Sequence, residues 1–178
     1  MDCMSLPRAG RLAPLLAALV VACTPALDWR TVQIDAGSLQ ALFPCRPEHR
    51  SRVVTLGGVR LRMNMSACSA DTDRFALAYI DTPDPAGVTP TLGALRRAVS
   101  DNLGATAPVS KPFAPAGATP NPAAGRMQIE GRLPDGKRVV EHAAFFTRGL
   151  RIYQANVIGP APAEGPVETF FSSLKLAP

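Results

Sequence analysis

The sequence predicts an α+β fold in which an antiparallel β-sheet of about six to seven strands is flanked by helices. Three observations lead to this prediction. Short segments of alternating apolar and polar residues occur in both halves of the chain, tight-turn sequences separate several of them, and helix-like segments lie mid-chain and at the end. Groups of strands interrupted by single helices, without a regular strand–helix alternation, favour an antiparallel sheet.

The chain length and composition fit one folded unit with a sizeable core, because 47% of the 178 residues are hydrophobic. We expect residues 1–22 to be a signal peptide of the lipoprotein type, 23–28 a tether, and 29–178 a single α+β domain.

The N-terminal segment has the features of a bacterial export signal. Arg8 and Arg11 precede an apolar run of ten residues, 12–21, which is too short to span a bilayer as a helix. The run ends in the letters VVAC at 20–23, which resemble a bacterial lipobox. In such signals the cysteine receives lipid and becomes the first residue of the mature protein.

Three interpretations of Cys23 follow. Besides a lipid-bearing N-terminus, the segment is compatible with a plain secretory cut after Ala22 or Ala26, which would give a soluble periplasmic protein, and with a cytosolic core strand. We expect lipidation of Cys23. Because Thr24 rather than aspartate follows it, we expect the periplasmic face of the outer membrane as the location, with the membrane as a partner through the lipid.

The other cysteines are interpreted from this compartment. Cys3 lies in the segment expected to be removed, which leaves Cys45 and Cys68 in an oxidising environment, where a pair forms a disulfide. If the flanking strands pair about a turn at Gly57-Gly58, the residue numbers of each pair of opposite residues add up to about 115. Cys68 then lies opposite position 47, which is two residues from Cys45. A redox-active pair favours CxxC spacing and a zinc site needs more ligands.

The first half of the domain is predicted as strands followed by a helix. The expected strands are 29–34, 39–43, 51–56, 59–66 and 74–81. In the last of these, Phe75, Leu77 and Tyr79 share one face. A helix is expected over 89–104, capped by Thr89 or Thr91, with an apolar stripe formed by Leu92, Leu95, Val99 and Leu103.

The second half is predicted as a loop, a meander and a closing helix. Residues 105–125 are rich in Ala, Pro and Gly, and we expect a long ordered surface loop rather than a domain linker. Three strands are expected within 126–159, with turns at 134–137 and 147–149. A short helix is expected over 165–176.

Several segments together resemble small bacterial envelope proteins with a Mog1/PsbP-like fold. The segments are FPCRPEHRSRVV, RFALAYID, GRLPDGKRVVEHAAFFTRGLRIYQANVIGP and ETFFSSLKL. The resemblance covers about residues 29–176 and implies a central antiparallel sheet flanked by helices, in a binding or accessory protein. The two paired cysteines and the Pro-rich loop depart from the broader pattern, and a shared fold does not transfer an activity.

The sequence has two histidines, and each follows a glutamate. The pairs are His49 with Glu48 and His142 with Glu141, which in principle suit a metal site or acid–base work. We expect both pairs to be solvated instead. The sequence has no GxSxG, Walker, HExxH or GxGxxG motif, and no cofactor is expected.

The acidic and aromatic residues are also interpreted as structural. The aspartates Asp71, Asp73, Asp81 and Asp84 lie close in sequence but lack the alternating ligands, glycine and final glutamate of a calcium loop. No metal site is therefore expected. The aromatic residues expected to be core or half-buried strand residues are Trp29, Tyr79 and Tyr153.

The charge pattern argues against nucleic acid as a partner. The net charge is +5, but the arginines are spread along many segments without a Lys/Arg block, so we expect a mixed solvated surface. The sequence thus predicts a non-enzymatic, lipid-anchored envelope module that binds or supports another protein or a cell-wall component. The alternative is a small periplasmic hydrolase or transferase with an unrecognised site.

Overall fold

A computed structural model describes residues 27–104 and 108–177, which form ten β-strands and two α-helices. In chain order the elements are β1 (Arg30–Ile34), β2 (Leu39–Phe43), β3 (Glu48–Leu56), β4 (Val59–Ala70), β5 (Asp73–Asp81), α1 (Val88–Asn102), β6 (Val109–Lys111), β7 (Gly125–Arg132), β8 (Arg138–Arg148), β9 (Arg151–Gly159), α2 (Glu164–Ser172) and β10 (Lys175–Leu176). Neither α-helix is long and apolar enough to cross a membrane.

The strands form two antiparallel sheets rather than one. The large sheet has seven strands in the order β3-β4-β5-β9-β8-β7-β6, and the small sheet has three in the order β1-β2-β10. The predicted α+β class is confirmed, but the expectation of a single sheet is wrong. Alternation along β1 and β2 predicts that they are strands, whereas only the tertiary structure shows that they form a separate sheet with β10 and pack against the large sheet.

The hairpin of β3 and β4 has the predicted register. Gly57 and Gly58 form the turn with φ of +56° and +84°, a region that glycine adopts without a steric penalty. Glu48 pairs with Ala67 and Leu56 with Val59, so partner numbers sum to 115 as expected. Both strands are longer than predicted, because the hairpin continues to the disulfide.

The disulfide between Cys45 and Cys68 is confirmed, with the two Cα atoms 6.0 Å apart. This separation lies within the usual range for a disulfide. It joins the segment between β2 and β3 to the far end of β4. Because β2 belongs to the small sheet and β4 to the large one, the bond links the two sheets.

Both faces of the large sheet are buried at its centre. On one face Phe75 and Leu77 pack against the small sheet and α2, in a core that includes Phe43 and Phe170. Tyr79 lies beside them, as predicted, and Tyr153 is fully buried. On the other face the side chains are smaller, and α1 covers that face with the predicted stripe. The buried β5 residues there are Ala76, Ala78 and Ile80.

Helix α1 begins without the predicted threonine cap. No side chain caps its N-terminus, where Gly87 is the cap residue; instead, Asp84 caps the preceding short 3₁₀ turn by accepting a hydrogen bond from the backbone N–H of Gly87 at 3.0 Å. At the other end α1 lies close to β7. A Cβ atom at Gly131 would be 2.3 Å from the backbone oxygen of Leu103, so only glycine permits this approach.

The Pro-rich segment is partly incorporated into the sheet. Residues 105–107 lie outside the described part, and the rest of the predicted loop contains the short edge strand β6, which pairs with β7. Thr119 forms an isolated bridge with Thr147. The end of the predicted closing helix is also different, because Lys175 and Leu176 leave α2 and pair with β2.

Candidate functional site

A cleft of about 550 Å³ lies between strands β6 to β8 and the N-terminal end of α2. Its walls combine apolar side chains with a small number of charged ones, which is the usual composition of a binding cleft. The lining residues are Val109, Lys111, Arg126, Met127, Gln128, Val140, His142, Ala161, Pro162, Glu164, Val167 and Glu168.

Arg126 is a fixed part of the cleft wall. Its side chain is only 6% exposed, its Nη1 donates to Oε1 of Glu168 at 2.7 Å, and its guanidinium carbon lies 4.1 Å from the centre of the Phe171 ring. A buried cation is tolerated when a carboxylate and an aromatic face replace the lost water. Arg126 therefore joins β7 to α2 and does not present a free positive charge.

His142 projects into the same cleft from β8 and is half-buried. Burial lowers the pKa of His142, and the positive charge of Arg126 lowers it further, while Glu168 acts in the opposite direction. The lowered pKa favours the neutral ring, and a neutral imidazole offers one hydrogen-bond donor and one acceptor. The cleft can thus hold a ligand group that both donates and accepts a hydrogen bond.

Glu141 lies on the opposite face of β8, because neighbouring residues of a strand alternate between faces. It is 6% exposed, and Oε1 accepts a hydrogen bond from Nδ2 of Asn156 at 3.0 Å. Burial raises the pKa of Glu141 to about 7, although the Asn156 hydrogen bond acts to lower it. The prediction that Glu141 and His142 are both solvated is wrong. Glu141 is buried, His142 is half-buried, and the two side chains do not meet.

The other histidine is exposed, as predicted. His49 on β3 lies beside Ser66 of β4, with Nδ1 and Oγ 2.8 Å apart, while Glu48 accepts a hydrogen bond from Arg50. That hydrogen bond lowers the pKa of the Glu48 carboxyl. Glu48 is therefore engaged by an arginine rather than by the neighbouring histidine.

The four aspartates do not form a common site. Asp73 and Asp81 are the first and last residues of β5, which puts them ~26 Å apart for an extended strand. Asp81 accepts two hydrogen bonds from Arg151, at 2.5 and 2.7 Å. Within residues 27–104 and 108–177, no group of three or more His, Cys, Asp or Glu side chains is placed to hold a metal ion.

A second polar cluster, not expected from the sequence, joins the two sheets. Asp35, between β1 and β2, has φ of +58° and accepts a hydrogen bond from the hydroxyl of Tyr153 at 3.0 Å. It also forms an ion pair with Arg151, whose guanidinium carbon is 4.7 Å from the centre of the Tyr79 ring. The left-handed backbone at Asp35 is costly for a residue with a side chain, and these contacts compensate for it.

Sequence reasoning missed Arg126, Glu168, Asp35 and Arg151 because their partners are distant in the chain. Asp35 and Tyr153, for example, are 118 residues apart. No local motif marks any of these four residues.

No protein-family model matches this chain, and no curated protein is significantly similar to it in sequence.

Proposed function

We propose that the chain is a non-enzymatic binding or accessory module of the bacterial cell envelope, held at the periplasmic face of the outer membrane by lipid on Cys23. The basic N-terminal segment, the apolar run of ten residues and the letters VVAC support the anchor. The Cys45–Cys68 disulfide supports an oxidising compartment. We also infer a Mog1/PsbP-like fold, which the order of strands, hairpin, mid-chain helix, meander and closing helix supports.

The observation that supports binding rather than catalysis is the separation of Glu141 from His142, the candidate acid–base pair beside the cleft. Glu141 and His142 occupy opposite faces of β8, and one of the two carboxylates that line the cleft beside His142, Glu168, is already paired with Arg126. The cleft lining includes no Ser, Thr or Cys that His142 could activate as a nucleophile. This arrangement favours a binding cleft over the alternative of a small hydrolase or transferase.

The cleft is the place where we expect a partner to bind. A photo-crosslinking residue, p-benzoylphenylalanine, placed at the exposed cleft residue Gln128 should give a discrete adduct when intact envelopes are irradiated. The matched control is the same residue at Asn102, which is exposed at the end of α1, away from the cleft lining. Adducts of equal yield from both positions would contradict a partner at the cleft.

The lipid anchor is tested by replacing Cys23→Ala. Because the thiol is the atom that receives the diacylglycerol group, the variant should lose all labelling with radioactive palmitate and accumulate as an unprocessed precursor. Cys3→Ala is the matched control, since Cys3 lies in the segment expected to be removed, and should be labelled and processed normally. Normal processing of the Cys23→Ala variant would exclude the lipoprotein.

A further inference from the structure

The positive charge of the described residues is concentrated in one segment. Residues 46–62, which we call the basic hairpin, contain five arginines and one glutamate, a net charge of +4. The remaining described residues carry twelve basic and twelve acidic side chains. Within this segment the pairing of β3 with β4 places four of the five arginines, Arg50, Arg52, Arg60 and Arg62, on adjacent strands.

The basic hairpin lies at one edge of the large sheet, where β3 is the outermost strand. Its register places Arg50 and Arg52 on the face shared with Met63, and Arg60 and Arg62 on the face shared with Val53. At the edge of a sheet, side chains of both faces border the same line of exposed backbone. A flat anionic surface that meets this edge would therefore contact two arginines from each face of the sheet.

These arginines are exposed and largely without carboxylate partners. Of the five, only Arg50 forms an ion pair with a described residue, the exposed Glu48. The basic hairpin also contains Val53 and Val59, which are 51% and 49% exposed and are two of the four large apolar side chains exposed in the described part of the chain. Arginines interspersed with exposed apolar residues are typical of surfaces that contact a membrane interface.

The position of the tether brings this edge towards the proposed anchor. The backbone N–H of Asp28 donates to the backbone oxygen of Pro44 at 2.8 Å, so the described chain begins beside the segment that leads into β3. Four residue steps separate Cys23 from Leu27, and such a length of chain spans at most ~14 Å. A domain held so close to a bilayer has its adjacent charges near the lipid headgroups, where screening by salt is incomplete.

We propose that the basic hairpin binds the anionic phospholipid headgroups of the membrane that carries the anchor. The inference deepens the proposed function and rests on the lipid anchor for its orientation. The arginines contact lipid phosphates along the β3 edge. They thereby hold the cleft between β6 to β8 and α2 in a fixed orientation relative to the bilayer. Lipid and basic surface then act as the two signals that together give stable attachment.

The test uses a chain beginning at Thr24, which retains every described strand, both helices and the disulfide but has no lipid. Its sedimentation with vesicles of phosphatidylcholine alone is compared with that of vesicles containing equal parts of phosphatidylglycerol. We expect binding only to the anionic vesicles, weakening as salt is raised. Absence of any difference between the two vesicle types would overturn the proposal.

The variant Arg52→Gln/Arg60→Gln tests whether the basic hairpin causes the binding to anionic vesicles. Each arginine at an anionic surface increases the partition of the protein onto vesicles about fivefold. Loss of both arginines should therefore lower vesicle binding by at least about tenfold. The matched control is Arg97→Gln/Arg138→Gln, which removes the same charge from exposed positions elsewhere and should change binding by less than about threefold. Equal losses in both variants would show a general charge effect and overturn the assignment.

Two further results would contradict lipid binding by the basic hairpin. If the arginines only protect an exposed sheet edge from pairing with another chain, the hairpin variant will aggregate while the parent shows no preference for anionic vesicles. Tighter binding to duplex DNA than to anionic vesicles at the same salt would point to nucleic acid instead of a membrane. Because this chain has no lipid, the outcome is independent of whether Cys23 is lipidated in cells.

Discussion

Removal of the Cys45–Cys68 disulfide is expected to lower the free energy of unfolding by about 3 kcal/mol. The bond closes a loop between residues 23 positions apart and therefore restricts the unfolded chain. It also fixes the small sheet to β4 at the point where the described chain begins. Since folded domains are stable by only about 5–15 kcal/mol, this is a large part of the total.

The measurement is urea unfolding of the chain beginning at Thr24, compared with its Cys45→Ala/Cys68→Ala variant. Reduction of the parent with dithiothreitol should lower its midpoint to near that of the double variant, whereas the double variant should not respond to the reductant. Thiol titration should find no reactive group from these cysteines before denaturation and reduction. A parent protein whose midpoint is unchanged by reduction would show that the bond contributes nothing to stability.

Glu141→Gln is expected to stabilise the protein at pH 8 and to have little effect near pH 4.5. The pKa of Glu141 is raised from 4.5 to about 7 by burial, so the folded state holds this proton more tightly than the unfolded state. The free energy of unfolding of the parent consequently falls as pH rises from 4.5 to 7, and the loss is complete above that range. Glutamine stays neutral at every pH and can accept the same hydrogen bond from Asn156.

The size of the effect follows from the shift in pKa. At about 1.4 kcal/mol per pKa unit, the variant should be more stable than the parent by on the order of 3 kcal/mol at pH 8. Urea unfolding at several pH values measures the difference. The matched control is Glu130→Gln, an exposed glutamate on the neighbouring strand β7, which should change stability little at either pH. Parallel pH profiles for the parent and Glu141→Gln would contradict the raised pKa.

Much of the fold was predictable because its signals are local. Gly57-Gly58 specified the turn, the turn specified the register, and the register placed Cys68 opposite the segment that contains Cys45. The stripe on α1 depends only on helical periodicity. The end of α2 was not predictable, because Lys175 and Leu176 form a strand only when the edge of β2 is present to pair with them.

The candidate site was less predictable than the fold. The sequence drew attention to His142 but paired it with its neighbour Glu141, whereas in the structure the charged groups around it come from β7, β6 and α2. A residue next to another in a strand points to the other face, so sequence adjacency was misleading here. Glu141 is buried only in the folded sheet, beside Asn156 of the neighbouring strand β9, and no local pattern shows this.

By itself, the sequence determined the positions of most strands and both helices, the hairpin register and the cysteine pairing. These features depend on residues a few positions apart, or on a register that one turn sets. Only the tertiary structure decided that the strands divide into two sheets, that Asp35 joins them through Tyr153 and Arg151, and that β3 is the outermost strand of the large sheet. Those features depend on contacts between side chains that only the packing of distant elements brings together.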